Sequence, residues 1–232
     1  MSKGKLEKFA EVATFTNVLQ PPFNEVFKRD FSLKGKWHEE HFSNLKPITL
    51  ELGCGKGEYS VGLARMFPER NFIGVDIKGS RIWKGARVAL QEKLVNVCFI
   101  RSRIDFIESF FSRDEVDEIW ITFPDPQLKK PLKRLTSTRF LRRYQSFLKP
   151  GGFINLKTDS AELYQYTLAL IRHNTLPLEF GTDDLYNSAY DNPVLSIKTF
   201  YEEMWLEEGK PIHYLRFQLS DKSLTESPDE DG

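Results

Sequence analysis

Three carboxylates, each within two residues of glycine or proline, are the residues in this chain best placed to do chemistry. Glu51 stands just ahead of Gly53-Cys54-Gly55-Lys56-Gly57, in which every second residue is glycine. Such a turn lets backbone approach a ligand closely and tolerates positive φ. The dinucleotide fingerprint G-x-G-x-x-G needs glycine at position 58, where this chain has Glu58. A pyrophosphate at a helix N-terminus wants bare N–H groups and no nearby carboxylate. Glu51 and Glu58 flanking the turn therefore suit a ligand with a cationic part, such as a sulfonium or an α-ammonium. Asp76 ends Gly74-Val75-Asp76, about 20 residues past the turn, where an acid can accept both hydroxyls of a ribose. It points to a nucleoside without saying which. Asp125 lies between Pro124 and Pro126, which fix φ and stiffen the turn.

Directly after this turn comes a run of cations. Lys129, Lys130, Lys133, Arg134, Arg139, Arg142, Arg143 and Lys149 follow one another with no acid between them. The whole chain carries 33 basic and 33 acidic residues, a balance that by itself argues against a nucleic-acid partner. Distribution matters more than the sum. A plain solvated helix face mixes signs, and this stretch does not. Phe140 and Tyr144 within it are expected to pack inward and not to serve as stacking platforms. His38, His41, His173 and His213 fall outside every motif. Cys54 and Cys98 make neither a disulfide framework nor a metal-ligand spacing, so a reducing, cytoplasmic setting without metal is expected. No apolar run of about 20 residues is present to span a membrane. Met1–Ala10 lacks the apolar core of a secretory signal.

The elements that must position these residues read as alternating strands and helices. Ile48–Leu52, Asn71–Val75, Asn96–Ile100, Glu118–Phe123 and Phe153–Lys157 are expected strands. Glu58–Phe67, Gly79–Leu94, the short Ile104–Phe111, Thr138–Leu148 and Ala161–Asn174 are expected helices, with Pro150-Gly151-Gly152 closing the fourth. This alternation means βαβ units, a mostly parallel sheet and helices on both faces. A last strand, Ile212–Leu219, follows shorter pieces. Residues 1–47, interrupted by Pro21, Pro22 and Pro47, read as a partly irregular N-terminal arm with short helical pieces. Residues 48–220 form the α/β domain, and 221–232 an acidic tail expected to be disordered. No internal repeat is present.

The motifs together resemble the bacterial tRNA (guanine-N(7)-)-methyltransferase family. Leu50 to Gly57 matches its cofactor loop, Phe123-Pro124-Asp125-Pro126 with Lys129-Lys130 its signature, Lys157-Thr158-Asp159 its K-T-D element, and Thr199-Phe200-Tyr201-Glu202 its T-x-[FY]-E element. The resemblance spans Pro47 to Leu219. It implies a Rossmann-like class I methyltransferase fold with an antiparallel C-terminal strand, S-adenosylmethionine as cofactor and tRNA as partner. It places cofactor contacts at Glu51, Gly53, Gly55, Gly57, Asp76, Arg103 and Asp125. Asp125 is also the catalytic position. Substrate contacts fall at Lys129, Asp159, Thr199, Phe200, Tyr201 and Glu202, and RNA contacts at Pro131, Leu132, Lys133, Arg134, Leu135 and Thr136. The chain departs from the family in three places. Arg103 stands where Asp or Asn is usual, with Asp105 two residues on as a substitute; Gln127 replaces a Trp; Leu132 replaces a polar residue.

The implied reaction gives 7-methylguanosine, at a variable-loop guanine by the same resemblance. Guanine N7 is an unprotonated acceptor, so attack needs no general base, only alignment of lone pair, methyl and sulfur. The product base is cationic, and Asp125 or Asp159 could stabilise that charge. Three other readings remain open: methylation of another RNA, methylation of a small molecule, and a non-catalytic RNA-binding Rossmann-like module. An NAD-dependent oxidoreductase is disfavoured by the missing third glycine. Monomer and homodimer are both compatible with the sequence.

Overall fold

The structure, a computed structural model, describes residues 4–227. Ile48–Leu52 (β2) is buried at all five positions, as expected of a parallel strand covered on both faces. Asn71–Asp76 (β3), Val97–Arg101 (β4) and Val116–Thr122 (β5) join it in parallel in the order β4-β3-β2-β5. Leu148–Thr158 (β6) adds a further parallel strand. His213–Gln218 (β8) then lies antiparallel between β6 and Leu178–Thr182 (β7). Val18–Leu19 (β1) pairs with β4 at the other edge. The result is one eight-stranded sheet, β1-β4-β3-β2-β5-β6-β8-β7.

Glu58–Met66 (α3) and Gly79–Gln91 (α4) cover one face, where Val61, Ile82 and Ala86 meet Phe72, Phe99, Trp120 and Tyr214. Thr138–Gln145 (α5) and Ala161–His173 (α6) cover the other, with Leu141, Tyr144, Leu163 and Ile171 against Ile48, Leu50, Ile119 and Ile154. This is the expected mostly parallel sheet between two helical layers. The strand order reverses direction between β2 and β5, which opens a crevice at their carboxyl ends.

The N-terminal segment contains Lys5–Val12 (α1), β1, the single turn Phe23–Val26 (α2) and a π turn at Trp37–His41. It is tied to the sheet by side chains the periodicity could not reveal. Trp37 is fully buried and its indole N–H donates to Phe110 O at 2.8 Å. Asn17 Nδ2 donates to Ala86 O at 3.0 Å.

Two expectations are corrected, and one helix is added. Pro150-Gly151-Gly152 does not stop a helix: α5 ends at Gln145, and the prolyl-glycyl segment lies inside β6, whose pairing with β5 shifts register between Val116 and Glu118. The C-terminal segment is held in place through Ser227. Leu224 is fully buried, and Glu226 accepts from Thr138 N at 2.9 Å and from Tyr166 Oη at 2.8 Å. A carboxylate at the start of α5 meets its unpaired N–H groups and the positive end of its dipole. Residues 228–232 of the expected disordered tail lie outside the described residues. The helix Phe200–Glu207 (α7) was not anticipated, although Thr199 and Glu202 form a capping box at its start, with each side chain accepting from the other's backbone N–H.

Candidate active site

The glycine turn is built by β2 and β3 together. Gly53 N and Cys54 N donate to Val75 O at 2.8 and 3.1 Å, and Gly55 N donates to Asp76 Oδ2 at 3.0 Å. Gly53 and Gly55 have φ of +80° and +54°, and a Cβ at either would meet nothing closer than 3.8 Å. Here the glycines serve backbone conformation, since a Cβ at either would meet only ordinary contacts. Gly57 serves packing. A Cβ there would stand 2.6 Å from the Phe99 ring, and one at Gly85 would stand 2.7 Å from Lys56 O. The turn and α4 approach as closely as they do because both residues lack side chains.

Glu51 is 2% exposed. Its Oε2 accepts from Ser60 N at 2.9 Å and Ser60 Oγ at 2.5 Å, and its Oε1 accepts from Thr122 Oγ1 at 2.6 Å. The carboxyl thereby joins the ends of β2 and β5 to the first turn of α3. Burial pushes its pKa up to about 7, against the opposing pull of the Ser60 and Thr122 hydrogen bonds. Between the ordinary value of 4.5 and about 7 the folded chain keeps a proton there that the unfolded chain has released. This carboxyl thus favours the fold at acid pH, and its contribution fades as pH rises through that window. Glu51→Gln, which cannot ionise, is expected to flatten the pH dependence of unfolding free energy across the same window. Urea titrations at stepped pH check it; a slope equal to the parent's would place the proton elsewhere.

Asp76 is 8% exposed and holds the neighbouring backbone as well, with Oδ1 accepting from Lys78 N at 2.7 Å. Arg103 follows β4 and is largely exposed. The carboxylate of Asp105, the proposed substitute, already carries Arg139 at 3.0 Å and Arg103 at 3.5 Å. Glu58 departs from the expected flanking role. It pairs with Lys84 at 2.6 Å and accepts from Phe200 N at 2.9 Å, so its charge is committed to joining α3, α4 and α7.

Asp125 is exposed on the rim past β5. Its Oδ1 accepts from Gln127 N at 3.0 Å. Phe123 and Gln127 on either side have φ of +49° and +48°, conformations costing non-glycine residues on the order of 1–3 kcal/mol each and held only by surrounding contacts. Those contacts are present. Phe123 N donates to Lys157 O at 2.8 Å, and Arg134 Nε donates to Pro126 O at 3.0 Å. The prolines alone do not fix this turn.

Arg134 accordingly leaves the expected set of RNA contacts. It is 5% exposed, and its guanidinium also lies 4.3 Å from the Tyr166 ring. Thr136 leaves it too, being fully buried against Thr167 at 2.7 Å. Leu135 points at the glycine turn, 3.8 Å from a Cβ built on Gly53. Lys133 is exposed and Leu132 is 53% exposed, while Pro131 is half-buried. The eight cations do not share one face. Lys149 pairs with Asp117 at 2.6 Å and Arg143 with Glu108 at 2.5 Å, and Arg142 donates to Leu224 O. Lys129, Lys130 and Lys133 are exposed, without an ion-pair partner among the described residues. Phe140 and Tyr144 pack inward as expected.

Similarity to known proteins decides the family. A protein of Bacteroides thetaiotaomicron, named tRNA (guanine-N(7)-)-methyltransferase, is 54% identical over 229 residues, which cover 99% of this chain and 91% of its own length. The chain belongs to the tRNA (guanine-N(7)-)-methyltransferase family. A protein of the same name from Christiangramia forsetii is 52% identical, covering 94% of this chain and 99% of its own. The family model described as "Putative methyltransferase" matches residues 45–215. Among solved structures, the 16S rRNA methyltransferase KamB superposes with a TM-score of 0.62 over 84% of this chain and 98% of its own, at 18% identity, a likeness of fold alone.

Within this methyltransferase the K-T-D and T-x-[FY]-E elements meet through a residue that the sequence reading left without a role. Lys157 Nζ lies 2.5 Å from Glu202 Oε1, and both side chains are fully buried. Tyr186 Oη donates to the same oxygen at 2.5 Å, and Glu202 Oε2 accepts from Thr199 N at 3.3 Å. Burial pulls the Lys157 pKa below its ordinary value, and Glu202 works against that pull. Thr199 and Glu202 are thus occupied in anchoring α7. Phe200 and Tyr201 stay 50% and 40% exposed, with Lys56 Nζ 3.7 Å from the Phe200 ring centre. Lys129 is exposed, and Asp159 is half-buried just past β6. The S/T-x-x-E spacing of Thr199 and Glu202 was the signal that could have revealed this anchor. Ser60 and Thr122, which hold Glu51, carry no signal of spacing at all.

Proposed function

We propose that this methyltransferase moves a methyl group from S-adenosylmethionine to nitrogen 7 of a variable-loop guanine in tRNA, in the cytoplasm. The observation that carries this reading is the placement of Glu51, Asp76 and Asp125 at the carboxyl ends of β2, β3 and β5, around a glycine turn whose Gly53 and Gly55 hold positive φ. These residues fit the cofactor: Asp76 offers a ribose acceptor, and Gly53 and Gly55, held at positive φ, place no side chain between backbone and a ligand. When bound, S-adenosylmethionine supplies an electrophilic methyl group. Asp125, stiffened by Arg134 and the flanking prolines, orients the guanine and stabilises the positive charge that develops on it. No side chain needs to remove a proton, because N7 has none. The decisive experiment incubates unmodified tRNA with labelled S-adenosylmethionine and digests it to nucleosides. Label in 7-methylguanosine supports the reading, and label in another nucleoside or none overturns it.

Lys129, Lys130 and Lys133 are exposed cations that follow this rim in sequence; Lys129 falls on a position the family resemblance gives to the substrate, and we assign Lys130 and Lys133 to tRNA phosphates. Each phosphate neutralised releases counterions, so log affinity falls with log salt by about 0.7–0.9 per contact. Replacing both by Ala is expected to weaken tRNA binding and flatten that slope by roughly 1–2 units. A salt series of binding isotherms checks it; parallel lines of equal affinity would make both lysines plain solvated charges.

A further inference from the structure

Past the carboxyl end of β4 lies an aromatic surface, part of it exposed, that the proposed chemistry does not use. Phe23 and Phe27 stack across one turn of α2, with ring centres 4.8 Å apart and planes 18° apart. Both meet Phe106 edge-on, at 5.5 and 6.0 Å. Phe23 is 59% exposed and Phe27 44%, while Val26 between them is buried in the core. Burying rings of this size is ordinarily favourable, so two left in solvent side by side are a surface to be explained. The mounting is firm. Ser109 Oγ donates to Val26 O at 2.7 Å, which fixes α2 to the segment after β4 that also carries Arg103.

Charge says what kind of partner fits. The Arg103 guanidinium lies 5.8 Å from the Phe106 ring centre, and Lys28 Nζ 5.6 Å from that of Phe27. The acids nearby are mostly engaged: Asp30 with Lys34, Asp105 with Arg139 and Arg103, and Glu108 with Arg143. Glu25 is exposed on α2. Flat apolar rings edged with cations suit a nucleobase with its phosphate, and RNA-binding surfaces capture unpaired bases by stacking them on aromatic side chains. We propose that Phe23 and Phe27, with Phe106 beneath them, are a stacking platform for an unpaired base of the substrate tRNA, with Arg103 and Lys28 facing its phosphate. This rests on the tRNA reading above. It gives the N-terminal segment a part in substrate recognition, beside the segment after β4 that packs on α5.

The test compares the full-length parent with the Phe23→Ala/Phe27→Ala double variant and a Phe23→Tyr/Phe27→Tyr control. The probes are unmodified tRNA and a fully paired RNA duplex. Loss of the rings is expected to weaken tRNA binding about tenfold to a hundredfold, the usual effect of removing a base-stacking aromatic. Duplex affinity, the salt slope, S-adenosylmethionine affinity and melting temperature should stay at parental values, and the Tyr pair should restore tRNA affinity. Parental tRNA affinity in the Ala pair overturns the platform. So does a changed oligomeric state or a lowered melting temperature in step with the binding loss, which would make the rings a protein contact. If the parent methylates tRNA while the Ala pair binds it normally, the platform fails and the function stands. A parent that neither binds nor methylates tRNA overturns both.

Discussion

Glu202→Ala is expected to lower the melting temperature by roughly 10 °C, equivalent to about 3–5 kcal/mol for a chain of this size. Three losses act together. Lys157 would be left as an uncompensated ammonium in a site where its side chain has no exposure. Tyr186 Oη and Thr199 N would lose their acceptors, Glu202 Oε1 and Oε2. The capping box of α7 would be halved. Breaking a buried pair costs more than removing it whole, because desolvation of the surviving charge is no longer offset. The Lys157→Met/Glu202→Leu pair is therefore expected to regain most of the lost stability. Calorimetric melts of the parent, the single variant and the pair decide it. Equal melting temperatures for the single variant and the pair would mean that the ion pair is not what anchors α7.

Asp125→Asn is expected to reduce kcat by on the order of tenfold to a hundredfold while the melting temperature stays near the parent's. The substitution keeps an oxygen that can accept from Gln127 N, so the turn pinned by Lys157 O and Arg134 survives. What it removes is the negative charge that the proposed mechanism sets against a base becoming cationic in the transition state. A tenfold loss corresponds to about 1.4 kcal/mol of transition-state stabilisation, a modest demand for one charge at a partly exposed rim. Single-turnover methylation at saturating tRNA and S-adenosylmethionine separates this from weakened binding. A variant that turns over at the parental rate would remove Asp125 from the chemistry.

The sequence by itself determined the alternation of β2 through β6 with their helices, because continuous apolar runs and 3.6-residue spacing are local properties of the chain. It also determined the glycine turn, the strand-end acids Glu51 and Asp76, and the stiff Pro124-Asp125-Pro126 turn, since glycine and proline act on the backbone at their own positions. What each charge does was decided only by the tertiary structure. Glu58 looked like a second acid beside the cofactor, until α4 and α7 supplied Lys84 and Phe200 N to occupy it. Arg134 counted as one of eight cations, yet its neighbours Pro126 and Tyr166 make it a brace for the turn that presents Asp125. Lys157 and Glu202, 45 positions apart, become one buried pair because β6 and the start of α7 converge. Strands of two and five residues, β1 and β7, are too short or too exposed to show a period, and pairing with β4 and β8 makes them strands. Spacing along the chain fixes a residue's backbone and its face. Partners distant in sequence fix its charge state, its burial and hence its role, and these exist only once the sheet has brought them together.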